Sequence, residues 1–294
     1  MPAAAAVATV GLGTADAYSV LAGTTVTNTG PTMLSGDLGV SPGSAITGFP
    51  PGTAAGATHV ADAPAQQAQA DLVTAYNDAA GRAMTASVAG DLVGRTLTSG
   101  VYKSTGPLAL SGTLTLDGQG NPNAVFVFQI ASTLTTATAS HISVLNGAQA
   151  CNVFWQVGSS ATLGTTSTFQ GTIMALTSIA VTTGVTVHGR ALARNGAVTL
   201  DTDTFTSAAC VTSPAAATSP ATTGAASVVA ATTARTAATT PGITPPTPTA
   251  TTTTLAATGA GQLMALTGGG GALLAVGVGF LWVAGRRRRP MHRR

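Results

Sequence analysis

The amino-acid sequence predicts a mainly β fold, a β-helix in which each round contains three short strands, with one long α-helix packed alongside. A pattern recurs between residues 152 and 206, where equivalent positions such as Val153, Thr172 and Ala191 stand roughly 18 to 19 residues apart. The composition is only 7% charged and 4% aromatic and is rich in glycine. Such a chain suits tightly turned β structure better than an enzyme with a deep polar cleft.

Each repeat contains three kinds of segment. The first is apolar on both faces, and these segments are 152–157, 171–176 and 190–193. The second alternates apolar residues with Ser, Thr or Ala, in 160–163, 178–182 and 197–200, and the third comprises 167–169, 185–187 and 204–206. Glycines 164, 171, 184, 189 and 196 mark the corners. One round cannot bury its inward residues alone, so neighbouring rounds must stack on it.

The outward side chains of the second segment are small, nearly uncharged and regularly spaced, and we interpret them as the working surface. They are Thr133, Thr135, Ser160, Thr162, Ser178, Ala180, Thr182, Ala197 and Thr199. A second row of threonines, Thr168, Thr183, Thr186 and Thr204, is a weaker candidate because His188 and Asp203 interrupt it. A single surface threonine in a strand indicates little, since threonine is a good β-former.

The chain before the regular repeats follows the same plan with one change of period. Residues 1–10 are Ala-rich, lack a basic start and are too short for a full signal peptide, so we interpret them as the remainder of an export segment. Strands and turns follow over 11–60, and a helix is predicted over about 62–86, with Asp62 as its cap. Its apolar stripe contains Ala68, Leu72, Tyr76, Ala79, Ala80 and Ala83. This helix is the expected cover for the first strands. Strands return from residue 97.

Charge and cysteine content narrow the functional classes. The chain has a single Lys and no Glu, and six of its eleven Arg lie in the last nine residues, so the body is mildly acidic and nucleic-acid binding is not expected. Cys151 and Cys210 flank the repeats, which favours a disulfide, although two free buried thiols remain an alternative. The four His are scattered, so neither a metal nor a cofactor is expected.

An enzyme on the same architecture is the main competing class. Polysaccharide-degrading β-helices need clustered carboxylates or a basic residue in a groove. Asp201 and Asp203 with Arg190 or Arg194 form the only candidate cluster. We expect Asp201 and Asn195 instead to hold backbone groups at the last turn, so no catalytic residue is assigned.

Several phrases in the right order carry a resemblance to a known family. They include Asn28-Thr29-Gly30-Pro31, the run from Gly36 to Gly43, the helical Asp71 to Tyr76, the Gly100-Val101-Tyr102 turn and the run from Gly189 to Asp201. Over about residues 11–206, the chain resembles the widespread microbial ice-binding protein family. The resemblance implies an irregular, three-sided, right-handed β-helix with one helix alongside, and a flat face that adsorbs to ice.

The small-residue face suits that expected activity. Strands about 4.8 Å apart, and alternate residues about 6.7 Å apart along a strand, form a rigid two-dimensional grid. The methyl group of threonine restrains nearby water while its hydroxyl bonds to water, and its branched side chain is stiff. A polysaccharide-binding adhesin using the same face is the alternative, although Trp155 is expected in the covered strand and offers no exposed aromatic platform. We expect a monomer.

The last 82 residues have a different composition. Residues 213–254 read as a disordered Ala/Thr/Pro stalk, and 260–285 form an apolar segment followed by an Arg-rich tail. The pentapeptide Leu255-Ala256-Ala257-Thr258-Gly259 resembles the sorting motif that actinobacterial sortases cleave between Thr and Gly. That resemblance implies sortase and peptidoglycan as partners and an extracellular, wall-anchored protein of a Gram-positive, actinobacterial type of cell. A plain membrane anchor through 260–285 is the alternative.

Overall fold

The computed structural model describes residues 7–211, which form a mainly β structure of parallel sheets with one long helix. Within this range no helix is long and apolar enough to cross a membrane. The predicted stalk (213–254), sorting motif (Leu255 to Gly259) and apolar segment (260–285) lie outside the described residues, as do residues 1–6.

The strands are short and follow one another closely along the chain. Before the helix they are β1 (Tyr18–Ala22), β2 (Thr25–Thr29), β3 (Met33–Leu34), β4 (Asp37–Val40), β5 (Ala45–Thr47), β6 (Thr53–Ala54) and β7 (Thr58–Val60). After helix α1 (Ala63–Gly81) come β8 (Ala86–Ser87), β9 (Gly90–Asp91), β10 (Thr96–Thr98), β11 (Gly100–Ser104), β12 (Leu108–Leu110), β13 (Thr113–Asp117), β14 (Phe126–Ile130), β15 (Leu134–Thr136) and β16 (His141–Leu145). The last are β17 (Val153–Val157), β18 (Ala161–Leu163), β19 (Thr168–Ala175), β20 (Ile179–Val181), β21 (Thr186–Ala193), β22 (Val198–Asp201) and β23 (Thr204–Thr206). Short 3-10 helices cover Gly13–Ala17 and Ala150–Asn152.

Every strand pairing is parallel, and the pairs form three ladders. The first ladder runs β7, β4, β1, β21, β19, β17, β14, β11, β8. The second ladder is the eight-stranded sheet β5, β2, β22, β20, β18, β15, β12, β9. The third ladder runs β6, β3, β23, β21, β19, β16, β13, β10. Successive rounds of the chain therefore contribute one strand to each ladder.

The order of strands in space differs from their order in the chain. Strand β1 pairs with β21, with Val20 opposite Ala191, so the N-terminal strands continue the ladders beyond the last C-terminal round. The sequence predicted strands over 11–60 but not this position. Strands β7 and β8 are the two ends of the first ladder, and α1 is the connection between them. A 19-residue helix rises about 28 Å, which covers much of a ladder of nine strands.

Helix α1 begins where the sequence predicted and ends earlier. The Asp62 carboxylate accepts the Ala65 N–H at 3.0 Å, as expected of a cap. The helix ends at Gly81 instead of about residue 86, so Ala83 lies beyond it, and Ala80 is exposed. The buried stripe is Ala65, Ala68, Leu72, Ala75, Tyr76 and Ala79.

The first strands are buried on both faces, as predicted, because two separate cores lie on either side of them. Inward residues such as Phe128, Trp155 and Ile173 belong to the inner core between the ladders. Outward residues such as Val127, Phe154 and Met174 belong to an outer core that α1 covers. Buried aromatic rings stack along the inner side of the first ladder, where the Phe128 and Trp155 centroids are 3.9 Å apart.

Two glutamines on the outward side of the first ladder bind polar groups of the helix. The Gln129 amide donates to the carbonyls of Ala79 and Arg82, both at 2.8 Å, and so pairs carbonyls at the end of α1. The Gln156 amide donates at 2.8 Å to the Tyr76 hydroxyl, which donates in turn to the Val157 carbonyl. These amides explain why two polar residues stand in otherwise apolar strands.

In two rounds, the third segment of one repeat continues without a break into the first segment of the next, where the sequence predicted a corner. These continuous eight-residue strands are β19 and β21, and each belongs to both the third and the first ladder. Gly171 and Gly189, predicted as corners, lie inside them at φ 105° and φ 152°. A Cβ at Gly189 would stand 2.0 Å from the Gly171 carbonyl oxygen, so the stacked backbones require glycine there.

The two cysteines form a disulfide, as the sequence favoured, and the alternative of free thiols was wrong. Cys151 and Cys210 are bonded with their Cα atoms 5.5 Å apart. The Gln149 side chain holds the same segment, because it donates to the Val211 carbonyl and accepts the Val211 N–H at 2.7 Å. The last described residues are thus fastened beside the start of β17.

We expect the change Tyr76→Phe to lower the free energy of unfolding by about 1 to 3 kcal/mol, because it leaves the buried Gln156 amide without its acceptor. The aromatic ring and its contact with the Arg194 guanidinium, 4.8 Å from the ring centroid, are retained. Urea unfolding measures the change.

The matched control is the double variant Tyr76→Phe, Gln156→Met, which removes both partners. It should be less destabilised than the sum of the two single variants. Strict additivity would show that the hydroxyl and the amide do not stabilise each other.

Candidate functional site

The outward middle positions of the second ladder form one row, which we name the central row. The strand register places its members opposite one another in the order Thr47, Thr27, Thr199, Ala180, Thr162, Thr135, Ala109 and Asp91. The residues on either side of the five members from Thr199 to Ala109, such as Ile179 and Val181, are buried. Because strands in a sheet lie about 4.8 Å apart, the row repeats at that distance.

The structure brings together four of the predicted site residues and adds others. Thr135, Thr162, Ala180 and Thr199 lie in adjacent positions of the central row. Thr27 and Thr47 extend it through β2 and β5, which the sequence could not place. The alternation of Thr25, Thr27 and Thr29 was the available signal, but it did not reveal which strand would lie beside them.

The threonine hydroxyls of the central row are free to bind an external partner. Within residues 7–211, the hydroxyls of Thr27, Thr47, Thr135, Thr162 and Thr199 make no hydrogen bond to another protein atom. The seven members from Thr47 to Ala109 are uncharged. Asp91 ends the row, and hydrogen bonds, first from Ser111, hold the pKa of its carboxyl below its usual value. It is therefore a charged border to a neutral row.

The other predicted face residues flank the central row, and several of their hydroxyls bond to the scaffold. Ser160 Oγ accepts the Ser178 N–H at 3.3 Å, and Ser178 Oγ accepts the Ala197 N–H at 3.2 Å. The Thr182 hydroxyl donates to the Leu163 carbonyl at 2.8 Å. These side chains brace one round against the next. Thr133 and Ala197 occupy the same flanking row as the two serines.

The weaker candidate row lies on the third ladder. Its register is Thr53, Met33, Thr204, Thr186, Thr168, His141 and Thr113. Met33 and His141 interrupt it, whereas the sequence named His188 and Asp203 as the interruptions. His188 lies in the next row, where it contacts Thr206 at 2.7 Å, and Asp203 is fully buried. Only three threonines are consecutive here.

Asp203 organises the corner at which the N-terminal rounds meet the last round. Its carboxylate accepts the N–H of Val185 at 2.9 Å and of Asp201 at 2.8 Å. Its own N–H donates to the Thr32 hydroxyl at 3.0 Å. From the sequence we predicted that Asp201 and Asn195 would hold backbone groups at this turn, but Asp203 holds them. Asp201 instead accepts hydroxyls from Thr183 and Thr202.

The candidate catalytic cluster does not assemble, because its two arginines have partners other than Asp201 and Asp203. Arg190 forms an ion pair with Asp16 at 2.6 Å, while Arg194 stacks on the Tyr76 ring. Neither arginine lies within salt-bridge distance of Asp201 or Asp203. In the part of the chain that the structure covers, no group of three His, Cys or Asp side chains could hold a metal ion.

Comparisons with known proteins agree on one family. The family model described as ice-binding-like matches residues 20–206. An ice-binding protein of Nostoc sp. (strain HG1) is 55% identical over 205 residues, which cover 69% of this chain and 76% of that protein. The ice-binding protein of Flavobacterium frigoris (strain PS1) is 36% identical over 212 residues, 67% of this chain and 76% of that protein.

Solved structures give the same result for the fold. The crystal structure of an ice-binding protein from an Antarctic biological consortium superposes with a TM-score of 0.67 at 51% identity, covering 68% of this chain and 92% of the other. The ice-binding protein of the Antarctic ascomycete Antarctomyces psychrotrophicus gives a TM-score of 0.66 at 43% identity, covering 70% of this chain and all of the other.

Burial raises the pKa of Asp203 to about 7, although two backbone N–H groups favour its charged form. The folded protein therefore binds this proton more tightly than the unfolded chain does. The resulting stabilisation is complete below about pH 4 and is lost as the pH rises to about 7. We expect Asp203→Asn, which cannot ionise, to have a smaller fall in unfolding free energy over that range, measured by urea unfolding at several pH values.

Asp91→Asn is the control, because the Asp91 pKa is lowered and its contribution changes only as the pH falls below about 4. Equal slopes between pH 4 and 7 for the parent and Asp203→Asn would contradict the proposed proton uptake.

Proposed function

Because the chain belongs to the ice-binding-like family, we propose that it adsorbs to ice through the central row of the second ladder. One observation carries this proposal. Seven uncharged side chains, five of them threonines with free hydroxyls, stand in register across seven paired strands. The names of the relatives suggest ice as the ligand, and the central row is the surface on which we propose that ice binds.

The chemistry of the row suits a surface made only of water. A charged side chain holds water in its own geometry, whereas a threonine methyl restrains water without charge and the hydroxyl joins its hydrogen bonds. Each contact is weak. The contacts add because the strands are fixed by the ladders and by the inner core, so little conformational entropy is lost on binding. Adsorbed protein then inhibits ice growth and recrystallisation.

We propose that the three ladders close into an irregular, right-handed, three-sided β-helix. Three parallel ladders that receive one strand each from successive rounds support this arrangement, as does the likeness to solved ice-binding proteins. In such a coil the three ladders form three faces. The helix covers the face of the first ladder, so the second ladder is left open to solvent.

The flanking residues support the row in this proposal. Ser160, Ser178 and Thr182 keep neighbouring rounds in register through their backbone hydrogen bonds. Thr133 and Ala197 widen the uncharged surface on one side. The protein acts by adsorption as a monomer, without a catalytic residue or cofactor.

A polysaccharide adhesin that uses the same row is less well supported. Carbohydrate sites commonly use an exposed aromatic ring as a platform. Within residues 7–211, Trp155 and every tyrosine are buried, and no phenylalanine is exposed. A degrading enzyme is supported still less, since Asp201 and Asp203 are bonded within the corner.

We further propose that the ice-binding region is displayed outside a Gram-positive, actinobacterial type of cell. The proposal rests on the sequence order of stalk, Leu255-Ala256-Ala257-Thr258-Gly259, apolar segment and arginines. Sortase would cleave between Thr258 and Gly259 and join the Thr258 carbonyl to peptidoglycan. Without that step, the segment 260–285 would serve as a membrane anchor.

We expect the double variant Thr162→Tyr, Ala180→Tyr to lower thermal hysteresis by roughly tenfold, because two phenol rings hold the neighbouring threonines away from ice and the summed contacts are lost. Thermal hysteresis and recrystallisation inhibition are measured beside the parent, with circular dichroism as the check of folding.

The matched control is Thr168→Tyr, Thr186→Tyr on the third ladder, which likewise places two tyrosines opposite each other on neighbouring strands. It should keep the parent's activity. Loss of activity in the control with retention in the first variant would move the site to the third ladder, and an inactive folded parent would refute the function.

A further inference from the structure

A cavity of about 430 Å3 lies where the start of α1 meets β1, β4 and β7, away from the central row. Three small apolar residues, Ala17, Ala63 and Pro64, contribute to its walls. Tyr18 and Asp37 also line it. The cavity can therefore accommodate a short apolar chain together with one polar group.

The Tyr18 hydroxyl is the unusual group in this cavity. The residue is only 2% exposed, and its hydroxyl has no hydrogen-bond partner among the described residues. A buried hydroxyl normally finds a partner, so one in a cavity wall without a partner points to a ligand.

Several polar side chains around the cavity already have hydrogen-bond partners. Thr14 donates its N–H and its hydroxyl to Asp71, each at 2.7 Å, and the Gln67 amide donates to the same carboxylate at 2.9 Å. The His59 ring Nδ1 lies 2.8 Å from the Asp62 carboxylate. One Asp37 oxygen accepts the Ala57 N–H, which leaves its other oxygen and the Tyr18 hydroxyl for a ligand.

The charge around the cavity is negative. Asp37 lines the cavity, and Asp62 and Asp71 are bonded to the lining residues His59 and Gln67. No Lys or Arg is among the residues that line it. Burial, followed by the nearby carboxylates of Asp37 and Asp62, raises the pKa of Tyr18 to about 12, so the phenol is neutral and can accept as well as donate. An anion would be repelled, whereas a cation with N–H donors complements both free acceptors.

We propose that this cavity binds a primary ammonium group carried on a short apolar chain. The ammonium donates to the free Asp37 oxygen and to the Tyr18 hydroxyl oxygen. The chain contacts Ala17, Ala63 and Pro64. The same chemistry is offered by a free alkylamine and by a lysine side chain of another protein.

The test uses the full chain and three probes of equal length: n-butylammonium, n-butanol and butyrate. The imidazole signals of His59 are followed by NMR, because His59 lines the cavity, while His141 and His188 on the third ladder act as internal controls. We expect a saturable shift of His59 with n-butylammonium and none with butyrate. n-Butanol should bind at least about tenfold more weakly, since it lacks the charge.

Two variants assign the ligand groups. Asp37→Asn keeps an acceptor for the Ala57 N–H and should weaken n-butylammonium binding by about tenfold or more. Tyr18→Phe removes an unpaired hydroxyl, should fold normally and should weaken binding by roughly fivefold. Asp117→Asn, which alters a carboxylate bonded to Asn146 instead, should change nothing.

Nα-acetyl-lysine amide distinguishes the two sources of the group. Tighter binding of this probe than of n-butylammonium supports the cavity as a site for a protein lysine, and the reverse supports a free amine. The proposal is overturned if His59 responds to neither cation, or if n-butanol and butyrate shift it equally well. Equal binding by the parent, Asp37→Asn and Tyr18→Phe would also overturn it.

Discussion

The register between β22 and β2 decides whether the second ladder presents one continuous row of side chains. It places Thr27 opposite Thr199, although the two residues are far apart in the chain, and so joins the first rounds to the last. A shift of β2 by one residue would turn Val26 outward and bury Thr27. Asp203 and Thr32 fix this junction from the corner, because Asp203 donates its N–H to the Thr32 hydroxyl while its carboxylate accepts the N–H groups of Val185 and Asp201. The central row is therefore continuous only because β2 and β22 pair in this register.

Helix α1 makes that meeting possible and stabilises it. Since the first seven strands lie at one end of the ladders and β8 lies at the other, the connection must travel along the stack, and the helix does so while burying the outer core. The Gln129 and Gln156 amides bind polar groups at its later turns, and Asp62 caps its start. The helix, which takes no part in the central row, thereby leaves the second ladder open for binding.

The periodic part of the fold could be predicted from sequence because its contacts are local in the chain. The spacing of roughly 18 to 19 residues revealed the round, and Thr135, Thr162, Ala180 and Thr199 then fell into one row. The predicted equivalence of Val153, Thr172 and Ala191 was wrong by one residue, because the register places Thr172 opposite Phe154 and Arg190. Thr27 and Thr47 could not be assigned to the row, because their position depends on the pairing of β2 with β22, which is distant in sequence. The spacing of the repeats does not indicate that pairing. Asp203 could not be predicted as buried, since aspartate in a turn is usually exposed. For Gln129 and Gln156 the sequence did contain a signal, because each is a polar residue in an otherwise apolar strand.

If the uncharged row that crosses the junction between β2 and β22 adsorbs to ice, the protein should be taken up into a slowly growing ice shell. The protein and its Thr27→Tyr variant are frozen separately with serum albumin as a reference, and the fraction of each in ice is compared with that in the liquid. We expect the parent to be enriched in ice and the folded variant to remain largely with the albumin, because Thr27 lies at the junction and a tyrosine there would hold its neighbours Thr47 and Thr199 away from ice. A parent left in the liquid would contradict the function, and a variant taken up as fully as the parent would contradict the extension of the row across the junction.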